Sequence, residues 1–223
     1  MHHPPPASSA VEDYLKAVYA LETRLDGPVP TNALAERLGV TPGSVSGMLR
    51  RLAELSLLEH ERYKGARLTD EGRRVALRTL RNHRLLELLL VEMLDVPWDL
   101  VHEEAELLEH VLSDELAERI AAKLGNPEFD PHGDPIPSAD GQLAHRALET
   151  LLTCPLHTPV TVARVTDQDA AFLRFIESHH LKPGQTIEVE ARDEVSDSVR
   201  LKGKDDQRMT IGARAASKLL VTS

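Results

Sequence analysis

The stretch VHEEAELLEHVLSD, from Val101 to Asp114, constrains this chain more than any other. At about 100° per residue in a helix, His102, Glu106, Glu109 and His110 share one arc, and Leu107, Leu108, Val111 and Leu112 take the opposite face. Neighbouring carboxylates repel, so that arc needs either full solvation or a cation among its members. Imidazole with carboxylate is a donor set suited to a divalent transition metal. For this helix taken alone, a solvated acidic face explains the pattern equally well. The distribution of charge narrows the choice. The formal net charge is −10, yet residues 1–69 and 155–223 each balance, residues 70–84 carry +3, and residues 85–154 carry −13. A cation-binding segment needs such a concentration of negative charge, and a DNA-facing segment would avoid it.

The 223 residues are enough for two or three small domains, each with its own core. Aromatic residues make up 3% of the chain, so Leu, Val and Ala must fill those cores. The one cysteine, Cys154, can form neither an internal disulfide nor a thiolate cage. No apolar run approaches about eighteen residues and no leader pattern opens the chain, so a cytoplasmic location is expected.

In chain order, the Pro-rich MHHPPPASSA, residues 1–10, reads as a disordered tail. A helix follows in VEDYLKAVYALETRL, with Asp13 in its first turn, where the helix dipole favours an anion. Next, TNALAERLGVTPGSVSGMLRRLAELSLL gives two short helices joined by a turn at Gly39. In the second, capped by Thr41, Val45, Met48, Leu49, Leu52 and Leu55 share one face, leaving Gly43, Ser46, Gly47, Arg50 and Arg51 towards the other; Thr41, Ser44, Ser46, Arg50 and Arg51 are the candidate DNA contacts. That is the layout of a helix-turn-helix recognition helix. A packed helical hairpin would account for the apolar spacing, but not for Gly43 and Gly47, each costing about 1 kcal/mol against Ala. LLEHERYKGARLTDEG reads as a two-stranded hairpin with Arg62, Lys64 and Arg67 at its tip, a basic wing that would track DNA phosphates.

A long leucine-rich helix, DEGRRVALRTLRNHRLLELLLVEML, places His83 and Glu87 four residues apart, a spacing that fits either one metal or a surface hydrogen-bonded pair. The ligand-bearing helix is expected to continue to about Leu124, and another to open at Ser138 and run to about Leu152. After Cys154 the pattern turns to strands at Val160 to Val165, Thr186 to Glu190, Ser198 to Leu201 and Arg208 to Ile211, with one helix near Asp169 to His180. The expected fold is mainly α: a winged helix-turn-helix over 11–72, a helical metal-binding and dimerisation domain over 73–153, and a small β-barrel over 154–223.

Three stretches, VEDYLKAVYALE, HERYKGARLTDEG, and NHRLLE with VHEEAELLEHVLSDE, make the chain resemble the diphtheria-toxin-repressor family, including its manganese-responsive branch. The last domain resembles that family's SH3-like (FeoA-like) module. The resemblance implies a homodimer whose metal-loaded form binds a palindromic operator on double-stranded DNA and represses metal-uptake genes. It implies a primary metal site at Asp13, Glu106, Glu109 and His110, and an ancillary site at His83, Glu87 and His102, with help from Asp167, Gln168 or Asp169. The iron-responsive branch has Met in place of Asp13 and Cys in place of Glu106. Hard oxygen donors at both positions favour Mn2+ on ligand-type grounds, with Fe2+ or another divalent metal as the alternative. Short manganese regulators carry a carboxylate where this chain has Lys16, so no close dinuclear cluster is implied. The iron branch has a base-reading glutamine where this chain has Gly47, so no operator sequence is implied either.

Two other classes compete. A di-metal oxidase needs Glu-x-x-His on two bundle helices, and this spacing occurs at Glu177 to His180, outside the helical middle. No nucleophile elbow or phosphate-binding glycine loop is present, so catalysis is not expected. A winged-helix regulator sensing an organic ligand would leave the acidic stripe as plain surface.

Overall fold

The computed structural model describes residues 8–61 and 65–223, which divide into two compact units. The first comprises Met1–His83 with two short insertions, Glu109–Leu112 and Pro137–Gln142. It contains α1 (Ser9–Leu25), α2 (Thr31–Leu38), α3 (Pro42–Glu54), β1 (Leu58–Glu61), β2 (Gly65–Leu68) and the start of α4 (Asp70–Leu94). Leu15, Val18 and Leu21 of α1, Leu34 of α2 and Val45, Leu49 and Leu52 of α3 recur at helical spacing and meet in one core. Gly39 ends α2 in the left-handed conformation, and Thr41 then caps α3, its hydroxyl accepting the Ser44 N–H at 3.2 Å with Pro42 in the first turn. The β1–β2 hairpin pairs Leu58 with Leu68 and Glu61 with Gly65. Glu22 ties it to α1, accepting the Leu68 N–H at 2.9 Å and the Arg73 guanidinium at 2.9 Å. Only glycine fits at position 72, where a Cβ would stand 1.8 Å from the Leu57 carbonyl oxygen.

The second unit comprises Arg84–Leu108, Ser113–Ile136 and Leu143–Ser223. After the rest of α4 come α5 (Val101–Leu108), α6 (Asp114–Lys123), a long loop, β3 (Glu149–Thr150), β4 (Pro159–Val165), α7 (Ala170–Ser178), β5 (Thr186–Asp193), β6 (Ser198–Lys202), a 3-10 turn at Lys204–Asp206, β7 (Arg208–Gly212), α8 (Ala213–Ala216) and β8 (Leu219–Thr222). Six strands form one antiparallel sheet in the order β3-β8-β4-β5-β6-β7. Its core joins Val162, Val189, Leu201 and Leu219 to Leu173 and Ile176 of α7 and to Trp98. Leu94, Leu100, Leu107 and Leu116 are exposed in this unit. No helix among the described residues is long and apolar enough to cross a membrane.

Three expectations from the sequence need correction. Ser9 and Ala10, expected in the tail, belong to α1; the expected tail residues 1–7 lie outside the described residues. The helix expected to run from Val101 to Leu124 breaks after Leu108 and restarts at Asp114. Two side chains compensate for the break: Ser113 caps α6 through the Leu116 N–H, and Asn82 donates to the Glu109 carbonyl at 3.1 Å. No helix forms from Ser138 to Leu152. Pro137 precedes a tight turn in which Gly141 has φ +76° and Ser138 binds Gln142 through both backbone and side chain. The expected small C-terminal β-domain is present as this antiparallel sheet, with no hydrogen-bonded closure between β3 and β7 among the described residues.

Candidate metal centres and DNA-reading helix

In the first unit, α1 and the Glu109–Leu112 turn bring Asp13, Glu109 and His110 together, with one ligand atom from each within 4.8 Å of the others. His110 Nε2 lies 2.9 Å from Asp13 Oδ1 and 3.5 Å from Glu109 Oε1. Its other ring nitrogen, Nδ1, donates to Glu12 Oε2 at 2.6 Å, and Arg78 holds the second oxygen of Glu12 at 2.7 Å. A carboxylate on Nδ1 fixes the tautomer and leaves the Nε2 lone pair directed at the carboxylates, the arrangement by which metal-binding histidines are oriented. Glu109 is 1% exposed. Lys16 Nζ lies 2.6 Å from its Oε1, and His83 Nδ1 lies 2.5 Å from its Oε2. Glu12 carries no signal in the sequence, because its partner is 98 positions away.

A second cluster, Glu87, Asp130 and His132, lies wholly within the second unit and is buried throughout. The loop from Asn126 to Pro137 builds it. Asp130 Oδ1 accepts the N–H groups of His132 at 2.8 Å and Asp134 at 2.9 Å, a side-chain turn that closes the loop on itself. Gly133, at φ +86°, lets that turn approach β4, since a Cβ there would meet the Ala163 carbonyl oxygen at 2.0 Å. His132 Nε2 donates to the Trp98 carbonyl at 3.0 Å, which leaves Nδ1 facing Glu87 Oε2 at 3.7 Å. That separation is too long for a hydrogen bond. Asp130 Oδ2 and His132 Nδ1 are buried without hydrogen-bond partners, Asp130 Oδ2 lying 3.6 Å from Arg84 Nε, and a bound cation would satisfy both atoms. Burial, then the Asp134 and Glu87 carboxylates, push the Asp130 pKa up to about 7. Burial, the largest single influence, favours the neutral His132 ring, but the Glu87 and Asp130 carboxylates and the Trp98 carbonyl together raise its pKa. Arg84 and Arg164 pair with Asp134. The sequence reading missed Asp130 and His132 because they sit in what looks like a breaker-rich connection.

The other expected ligands make the following contacts. His83 bonds to Glu109, while Glu87 Oε1 lies 3.3 Å from His102 Nδ1. Glu106 pairs with His102 at 3.8 Å and belongs to neither cluster just described. Asp167 is held by Lys218, whose hydrogen bond lowers the carboxyl pKa. Gln168 donates to Asp134 at 3.4 Å, and Asp169 caps α7 through the Phe172 N–H. Glu177, of the Glu-x-x-His spacing, pairs with Lys182.

On α3, Thr41, Ser44, Arg50 and Arg51 are exposed and Ser46 is half-buried. Thr41 and Ser44 exchange a hydroxyl bond at 3.0 Å, and Ser46 Oγ donates to the Pro42 carbonyl. A Cβ at Gly47 would meet nothing within 4 Å, so intramolecular packing does not require the glycine. Arg62 and Lys64 lie outside the described residues.

The family description "Iron dependent repressor, N-terminal DNA binding domain" matches residues 7–66, "Iron dependent repressor, metal binding and dimerisation domain" matches 69–138, and "FeoA domain" matches 149–223. The iron-dependent repressor IdeR of Mycobacterium leprae is 36% identical over 159 residues, covering 68% of each chain. The diphtheria toxin repressor of Corynebacterium jeikeium is 37% identical over 130 residues, covering 58% of this chain and 53% of that protein. Among solved structures, a manganese-dependent transcriptional repressor in complex with manganese aligns over 96% of this chain and 99% of its own, at 41% identity and TM-score 0.86. ScaR with bound Zn2+ aligns over 96% of this chain and 99% of its own, at 31% identity and TM-score 0.76. Members of this family are transcriptional repressors that bind DNA, dimerise and bind divalent metals; none of these roles is enzymatic. With all three domain matches present in order, the chain belongs to the iron-dependent repressor family of metal-responsive, DNA-binding transcriptional regulators.

Proposed function

We propose that this protein is a manganese-activated repressor of metal-uptake genes that binds a palindromic operator as a homodimer. The observation that carries this reading is the cluster of Asp13, Glu109 and His110. Asp13 belongs to α1, which packs in the core that also holds α3, so a ligand set spanning α1 and the Glu109–Leu112 turn couples metal binding to the DNA-reading unit. A bound divalent cation supplies positive charge that neutralises the converging carboxylates. Asp13 and Glu109 present oxygens, His110 presents Nε2, and Glu12 with Arg78 holds that ring in orientation. Tying the turn to α1 shifts the population towards a form in which the two recognition helices of a dimer are spaced for half-sites about 34 Å apart.

Both clusters offer oxygen and imidazole donors. The sole cysteine, Cys154, is buried beside Arg192 in the core of the second unit and belongs to neither cluster. Such donors accept Mn2+, which is intrinsically a weak binder, so selectivity must come from geometry and coordination number. Several similar structures are named for manganese, including the regulator SloR, while the mycobacterial IdeR relatives are named for iron. The second proposed site is Glu87, Asp130 and His132. The resemblance adds Glu106 to the first set and His83 and His102 to the ancillary one, and single substitutions at these positions test that extension.

The test is DNA affinity for the protein's own promoter region, by fluorescence anisotropy, in chelator and in buffered Mn2+. Tight binding only with Mn2+ is the expected result, and equal affinity in both would sink the reading. The same assay checks α3. Arg50→Gln or Arg51→Gln should weaken all DNA sequences similarly and reduce the magnitude of the salt slope by about 1. An unchanged slope in both variants would place the DNA elsewhere.

A further inference from the structure

From the ion pair between Lys16 and Glu109, we infer that Lys16 is a built-in competitor cation that sets the free-metal concentration at which this regulator responds. The inference rests on the metal reading proposed above. Lys16 lies three residues after Asp13 on α1, so both side chains leave the same face of the helix. Its ammonium is 2.6 Å from Glu109 Oε1, the same oxygen that lies 3.5 Å from His110 Nε2. The Glu109 side chain is completely buried and that of Lys16 is 17% exposed. A carboxylate so enclosed requires a counter-charge, and the Lys16 ammonium is placed to supply it, with His83 Nδ1 on the other oxygen.

A divalent cation coordinated by Glu109 takes over that role. Lys16 is then a positive charge beside a more strongly positive one, in a setting where solvent screens little. It therefore stabilises the metal-free form and opposes the loaded one. Both effects weaken metal binding and raise the threshold for DNA binding. An ordinary structural ion pair would stabilise the two forms alike.

The experiment uses the full-length protein and Mn2+ alone, titrated by calorimetry, with melting curves in chelator and at saturating Mn2+. Lys16→Met retains the length of the side chain without its charge, Lys16→Gln is a second neutral variant, and Lys16→Arg retains the charge. The two neutral variants should bind Mn2+ about tenfold more tightly than the parent, about 1.4 kcal/mol, and Lys16→Arg should stay close to the parent. Metal-free, the neutral variants should melt below the parent, and with Mn2+ this deficit should vanish. Unchanged or weaker Mn2+ affinity in both neutral variants, with the same loss of melting temperature in both states, would make Lys16 a structural pair and overturn the inference. If the parent itself binds no Mn2+, the metal reading fails and the inference goes with it.

Discussion

Glu109→Gln should abolish the Mn2+ response, weakening metal binding by at least about a hundredfold, since even the outer partners of metal ligands are worth about ten- to a hundredfold. The substitution keeps the size and shape of the side chain but removes the charge on which three groups converge. Lys16 and His83 bond to its two oxygens, and His110 Nε2 faces it at 3.5 Å. Because Glu109 is 1% exposed, solvent cannot substitute for what is lost. The backbone bond from Asn82 to the Glu109 carbonyl is untouched, so the turn should still form. The measurements are Mn2+ affinity, DNA affinity against free Mn2+, and circular dichroism to confirm folding. A folded Glu109→Gln protein that responds to Mn2+ within threefold of the parent would remove Glu109 from the site.

Replacing Glu87 with Gln and Asp130 with Asn together should move stability in opposite directions in the two metal states. Both carboxyl groups are buried in the second cluster, and Asp130 is already driven towards protonation by its surroundings. Removing two repelling charges should therefore raise the melting temperature of the metal-free protein. Asparagine can still accept the two N–H groups that close the loop, so the turn should survive. With metal the order should reverse. A ligand at about a hundred times its Kd stabilises a fold by about 2.7 kcal/mol, roughly 5–10 °C for a chain of this size. The double variant should lose this increment along with one Mn2+ per subunit, and Glu109→Gln should lose the other. A double variant that is less stable without metal, or that keeps the full stoichiometry, would show the cluster to be a structural polar network.

Wherever the determining interactions are close along the chain, the sequence was sufficient. The 3.6-residue spacing of Leu15, Val18 and Leu21, the Thr41-Pro42 cap and the short hairpin after α3 are local signals, and each appears where the pattern puts it. The strands from Val160 to Ile211 are legible for the same reason, as β-branched runs punctuated by turns. The concentration of negative charge over residues 85–154 was also legible, because charge density is a property of composition.

Which donors meet was settled by tertiary structure. Helical periodicity places His102, Glu106, Glu109 and His110 on one arc, but the helix ends at Leu108, and Asn82 and Ser113 stabilise the interruption. Glu109 and His110 then reach Asp13, Glu12 and Lys16 on α1, while Glu106 pairs with His102. Asp130 and His132 become a buried site only because Gly133 lets their loop pack against β4 and Trp98 accepts from the histidine. Lys16 and Glu12 lie 93 and 98 positions from Glu109 and His110, and Trp98 lies 34 from His132. These pairings depend on burial, which converts an otherwise solvated charge into one that requires a partner, and burial is a property of the folded chain.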